Sequence, residues 1–165
     1  MKKKIVILGS TGSIGKTTFS ILKKNKNFFN VKLLTTNRNI KELIKQSKTF
    51  NVKNLIVTDK KQFLIAKKIL KNKKINIFNN FNSLNKIFKK KVDYTMSSIT
   101  GFEGLEPTLN MIKFSKKIAI ANKEAIICAW SLIRKEMTKH KTNFIPIDSE
   151  HFSISELIKQ HPKEQ

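Results

Sequence analysis

The stretch Gly9-Ser10-Thr11-Gly12-Ser13-Ile14-Gly15-Lys16-Thr17 constrains the fold more than any other part of the chain. It follows the short apolar run Lys4 to Leu8 and precedes Phe19, Ile21 and Leu22, which fall on one helix face. A strand that turns through glycines into a helix opens a nucleotide-binding βα unit. Three of the five glycines in the chain are spent here. Two readings compete. Ending in Gly15-Lys16-Thr17, the stretch resembles a P-loop for a nucleoside triphosphate, with Asp59 placed after an apolar strand as a magnesium-binding aspartate would be. That reading puts Ser10 where a P-loop needs glycine, so that successive N–H groups can curl around the phosphates. Started at Gly9, the three-residue spacing gives a tight turn, a close approach for a dinucleotide pyrophosphate, and room for the helix to pack. The positive helix N-terminus lies just beyond. The position in the first βα unit strengthens the dinucleotide reading, with a mere strand-to-helix turn as the alternative.

The rest of the chain alternates in the same way. Short apolar runs at Val31 to Leu34, Leu55 to Val57, Ile75 to Phe78, Val92 to Met96, Ile118 to Ala121 and Phe144 to Ile147 predict strands. Helical spacing predicts helices over Asn39 to Ser47, Phe63 to Leu70, Leu84 to Phe88, Gly104 to Phe114, Lys123 to Lys139 and Phe152 to Lys159. Strands separated by helices imply a doubly wound, mostly parallel α/β sheet of Rossmann type.

Composition removes several function classes. One cysteine, Cys128, leaves no internal disulfide framework and no multi-cysteine metal site, and a reducing, cytoplasmic home is expected. No stretch approaches the roughly 20 apolar residues of a membrane helix, so no membrane partner is expected. The formal charge of +23 raises a basic nucleic-acid-binding module as an alternative. The lysines are spread over nearly every segment, with only Arg38 and Arg134 beside them, and no recognition motif is present. Specific nucleic-acid binding is therefore not expected.

Arg38 stands in Thr36-Asn37-Arg38-Asn39, after the second predicted strand, where an NAD site would place an acid. A cation there instead suits a 2′-phosphate, which favours NADPH. Asp148 and Glu150 flank Ser149 directly after the last predicted strand, where ligands of parallel sheets bind. They are either oxygen ligands for a divalent cation or a helix cap. Asn122, Lys123 and Glu124 likewise lie between a strand and a helix, as ligand contacts or as a cap.

Taken in order, "GSTGSIG" at 9–15, "TNRN" at 36–39, "SSITGFEGLEPTL" at 97–109, "ANKEAII" at 121–127 and "IPIDSEH" at 145–151 closely resemble the 1-deoxy-D-xylulose 5-phosphate reductoisomerase family. The resemblance implies an NADPH- and Mg²⁺- or Mn²⁺-dependent oxidoreductase of the non-mevalonate isoprenoid pathway. Such an enzyme converts 1-deoxy-D-xylulose 5-phosphate to 2-C-methyl-D-erythritol 4-phosphate. Carried over, it makes Thr11, Gly12, Ser13, Ile14, Asn37, Arg38, Asn39, Asn122 and Glu124 cofactor contacts. Lys123, Ser149 and Glu150 become substrate contacts, Asp148 and Glu150 metal ligands, and Lys123, Asp148 and Glu150 the catalytic set. Arg38 replaces a lysine common in the family, and Asn37 a glycine. Family members are also more than twice as long and dimerise. The resemblance thus implies an NADPH-binding domain over 1–142 and the start of a truncated catalytic domain over 143–165, with little turnover alone. Exposed apolar surface is expected at Phe152, Ile154, Leu157 and Ile158.

Overall fold

Alternate residues of the first strand point to opposite faces, and both faces are covered. The computed structural model describes residues 1–145 and Ile147. In β1 (Lys3–Leu8), Ile5 and Ile7 pack with Val31, Leu34, Leu55 and Val57, whereas Val6 and Leu8 pack with Leu33, Ile56, Phe81 and Met111 on the other side. Burial on both sides is why these strands read as unbroken apolar runs. The further strands are β2 (Phe29–Thr36), β3 (Asn54–Val57), β4 (Asn76–Phe78), β5 (Tyr94–Ser97), β6 (Lys117–Ile120) and β7 (Asn143–Ile145). They form one sheet in the order β4-β3-β2-β1-β5-β6-β7, parallel at every neighbouring pair. The chain winds outward from β1 to β4, returns to lay β5 against the free side of β1, and winds outward again. This reversal opens a crevice at the carboxyl end of β1, the switch point where open α/β sheets take their ligands.

The helices are α1 (Ser13–Lys24), α2 (Ile40–Phe50), α3 (Lys60–Ile69), α4 (Leu84–Ile87), α5 (Leu105–Ile112) and α6 (Lys123–Lys139). α3 starts three residues before the expected Phe63, because the Asp59 carboxylate accepts the Gln62 N–H at 2.9 Å and caps the helix there. Pro107 sits in the first turn of α5, as expected. Val92, expected in a strand, forms only an isolated bridge with Ser115, so β5 begins at Tyr94. α6 is kinked at Ala129, whose φ of −133° leaves the helical region and which the apolar spacing does not reveal. The predicted helix over Phe152 to Lys159 and its apolar face lie outside the described residues. Among the described residues, large apolar side chains are exposed on α3 at Leu64, Ile65 and Ile69 and on α6 at Ile127, Trp130 and Leu132.

At the amino-terminal edge of the sheet, the Asp93 carboxylate accepts the Lys4 N–H at 2.8 Å and pairs with Lys116 Nζ at 2.9 Å, joining β1 to the approaches of β5 and β6. The Lys4 hydrogen bond, then the Lys116 bond, hold the Asp93 carboxyl below its ordinary value of 3.8. A lowered folded-state value means that the stabilisation is complete above pH 3.8 and fades as pH falls through the lower value. Asp93→Asn is expected to flatten this acid limb, read as the melting temperature followed from neutral pH downward.

Candidate functional site

The glycine turn leaves β1 at the crevice, and its three glycines meet three different demands. Gly9 has φ +74°, and a Cβ there would lie 2.8 Å from the Ser98 carbonyl oxygen that follows β5. A Cβ on Gly15 would lie 2.2 Å from the Gly9 oxygen, so the helix packs directly on the turn. Gly12 differs: its nearest neighbour would be Gly9 O at 3.5 Å, an ordinary contact. Among the described residues nothing lies close enough to demand glycine at position 12. The space it leaves open suits a ligand phosphate approaching the main chain.

α1 also differs from α2, α3 and α6 at its start, and like α5 it begins at a glycine without a side-chain cap. Asn39 caps α2 by accepting the Glu42 N–H, Asp59 caps α3, and Asn122 caps α6 by accepting the Ala125 N–H. Gly12 fills the cap position of α1, no side chain among the described residues caps it, and its first turn carries no acid. The first amides of a helix lack carbonyl partners one turn back and favour an anion. The structure also corrects the P-loop alternative. Ser13 to Thr17 are already helical, so the connection is too short to curl around a triphosphate. Ser10 is wholly buried, with its Oγ 3.3 Å from Thr35 O, and Asp59 serves as a helix cap.

The loop after β2 lies beside this turn and is tied to it. Gly9 N–H donates to Thr35 Oγ1 at 2.8 Å, Ser10 N–H to Thr35 O at 2.9 Å, and the Thr11 and Thr36 hydroxyls are 2.6 Å apart. Asn37, Arg38 and Asn39 follow, all exposed. Asn37 Nδ2 donates to Thr58 Oγ1 at 2.8 Å, joining the loop to the end of β3. Arg38 Nε lies 3.4 Å from Asp59 Oδ2 with its side chain 79 % exposed. The pair therefore orients the guanidinium without burying it. The Gln62 backbone bond, aided by Arg38, keeps the Asp59 carboxyl below its ordinary value and ionised at neutral pH.

The loops after β5 and β6 close the other side. Asn122 is 3 % exposed, and its amide donates to Ile99 O at 3.1 Å and to Gly101 O while its oxygen caps α6. The capping reading of Asn122 is realised in the structure. Gly101, at φ +70°, and Gly104, whose Cβ would lie 2.4 Å from Ile99 O, let this loop fold back onto Asn122. Lys123 and Glu124 are exposed at the start of α6, on the same edge of the sheet as the glycine turn. Asn122→Ala removes the cap and two part-buried hydrogen bonds donated to Ile99 O and Gly101 O, and an expected loss of about 2 kcal/mol would be read by denaturant unfolding.

Asp148, Ser149 and Glu150 lie outside the described residues, and so does His151. Among the described residues no group of three or more His, Cys, Asp or Glu could hold a metal ion, and no helix is long and apolar enough to cross a membrane. A cleft of about 400 Å³ lined by Lys2, Lys32, Phe50 and Lys53 opens at the opposite, amino-terminal edge. None of the candidate contacts among the described residues lines it. Sequence reasoning missed Ser98, whose hydroxyl donates to Leu8 O at 2.7 Å and ties β5 to β1, and Gln46, whose amide donates to Ser10 O at 2.9 Å. Gln46 carries a signal that could have found it: a polar residue on the apolar stripe of α2, between Leu43 and Phe50.

A parallel sheet with a glycine turn at its switch point, an uncapped α1 and a cation after β2 defines a dinucleotide-binding domain of Rossmann type. Residues 5–130 match the 1-deoxy-D-xylulose 5-phosphate reductoisomerase family model. The chain belongs to this family. It is 59% identical over 163 residues to the enzyme of that name from Pelagibacter ubique, covering 98% of this chain and 42% of that protein. The solved structure of the Zymomonas mobilis enzyme in complex with NADPH superposes with a TM-score of 0.82 at 33% identity, over 91% of this chain and 40% of that one. A DOX-P reductoisomerase in complex with NADPH, fosmidomycin and magnesium gives a TM-score of 0.82 at 28% identity, over 90% and 37%. The chain thus spans about two fifths of the length of these relatives.

Proposed function

We propose that this chain is the NADPH-binding part of a reductoisomerase that converts 1-deoxy-D-xylulose 5-phosphate to 2-C-methyl-D-erythritol 4-phosphate in the cytoplasm. The observation that carries the reading is the glycine turn, where Gly12 leaves open the space that an uncapped helix end makes attractive to a phosphate. Thr11, Ser13 and Ile14 present main-chain amides to the pyrophosphate, and Gly12, whose own N–H is bound to Gly9 O at 3.1 Å, contributes the open space at its α-carbon. Asn37, Arg38 and Asn39 receive the 2′-phosphate, with Arg38 supplying the charge. Asn122 and Glu124 border the nicotinamide end, Asn122 by shaping the loop it pins. NADPH supplies the hydride for the reductive half of the reaction.

Lys123, at the positive end of α6, holds and polarises the substrate. Ser149 and Glu150 contact the same substrate, and Asp148 and Glu150 supply hard oxygen donors suited to Mg²⁺ or Mn²⁺. The cation supplies electrophilic stabilisation of charge on the substrate oxygens. The division of labour falls near residue 142. Residues 1–142 bind the cofactor and 143–165 open the catalytic part, entered through the edge strand β7. The complete enzyme works as a homodimer, and its basic charge serves no specific nucleic acid.

The test is a titration of the chain with NADPH, NADH and ATP, followed by calorimetry and by melting temperature. NADPH is expected to bind and to raise the melting temperature most. A rise with ATP and none with NADPH would refute the proposal.

A further inference from the structure

We propose that Gln46 is a positioning residue for the cofactor pyrophosphate: its buried amide holds the Ser10 carbonyl inward and so aims the Thr11 N–H out of the glycine turn. The inference rests on the cofactor reading above. Gln46 lies on the core face of α2 with Leu43, Ser47 and Phe50, and is 1 % exposed. A buried amide is costly unless its hydrogen-bonding groups are matched. Nε2 donates to Ser10 O at 2.9 Å and to Glu42 Oε1 at 3.3 Å, while Oε1 is buried without a partner among the described residues. For packing alone, a leucine or methionine would serve the site without that orphaned oxygen. What an apolar side chain cannot do is donate to Ser10.

That donation sets the direction of a phosphate-facing group. The Ser10 carbonyl and the Thr11 N–H belong to one planar trans peptide and point in opposite directions. Drawing the carbonyl toward α2 therefore turns the Thr11 N–H away from α2. On the other side of Ser10, its own N–H and hydroxyl are both bound to Thr35 O, which stops the residue from rotating as a whole. Without Gln46, the carbonyl would be orphaned in the core, and a flip of this peptide would relieve it by turning its negative end toward the phosphates. Gln46 also contacts Glu42, whose N–H is bound by the Asn39 cap, so one side chain steadies both the turn and the loop after β2.

Gln46→Met keeps an unbranched side chain of similar reach and its apolar contact while removing both donors. The variant is expected to melt within about 3 °C of the unmodified chain. Its Kd for NADPH should rise about tenfold, whereas that for adenosine 2′-monophosphate, which carries the phosphate facing Arg38 but no pyrophosphate, should change by less than about twofold. In amide NMR spectra, inorganic pyrophosphate should shift the Thr11 and Gly12 resonances of the unmodified chain and leave those of the variant nearly still. Equal weakening toward both nucleotides, unchanged NADPH affinity, or failure of the variant to fold would each overturn the assignment, the last by showing a structural role. If the unmodified chain binds no NADPH, the cofactor reading itself falls and the assignment falls with it.

Discussion

Gly15→Ala is expected to destabilise the chain by about 3 kcal/mol or more, a loss of roughly 6 to 12 °C in melting temperature. The added Cβ would lie 2.2 Å from Gly9 O, 2.7 Å from Ser10 Cα and 2.8 Å from Ser10 C. All three are main-chain atoms, and none can rotate out of the way. The turn cannot retreat either, because Gly9 and Ser10 N–H are both bound to Thr35 and Gly9 is pressed against Ser98. Gly12→Ala is the matched control. Position 12 has φ −75° and its Cβ would meet nothing closer than 3.5 Å, so stability should change by less than about 1 kcal/mol. NADPH affinity should nevertheless fall, because the methyl group fills the open space proposed to take the phosphate. Melting of both variants, with and without NADPH, separates packing from binding. Equal stability losses at the two positions would contradict these distinct roles.

Arg38→Ala is expected to weaken NADPH binding by roughly 10- to 100-fold while leaving NADH binding nearly unchanged. The two nucleotides differ only in the 2′-phosphate, and Arg38 is the cation placed on the loop after β2. Its link to Asp59 at 3.4 Å engages Nε and leaves the guanidinium exposed. Raising the salt concentration should narrow the difference between the unmodified chain and the variant, since the contact is at the surface. Calorimetric titration with both nucleotides measures the effect. Equal losses for NADPH and NADH would instead assign Arg38 to the shape of the loop.

The sequence by itself determined the parallel alternation of strands and helices, since runs buried on both faces must be apolar throughout. It also determined the glycine turn after β1, because a turn into a helix depends on local residue types, and it placed a cation, Arg38, after β2. The motifs at 97–109 and 121–127 were legible as a family pattern, but their internal wiring was not. Only the tertiary structure decided that, among the described residues, nothing crowds Gly12 while Gly9 and Gly15 are crowded, since the atoms that crowd them come from the loop after β5 and from the folded turn itself. Only it decided that Asn122 pins a loop more than twenty residues away, that Asp59 caps α3 and steadies Arg38, and that Gln46 reaches Ser10 across 36 positions of chain. Spacing along the chain carries periodicity, whereas a hydrogen bond between distant loops exists only after the sheet has brought the carboxyl ends of its strands to one edge.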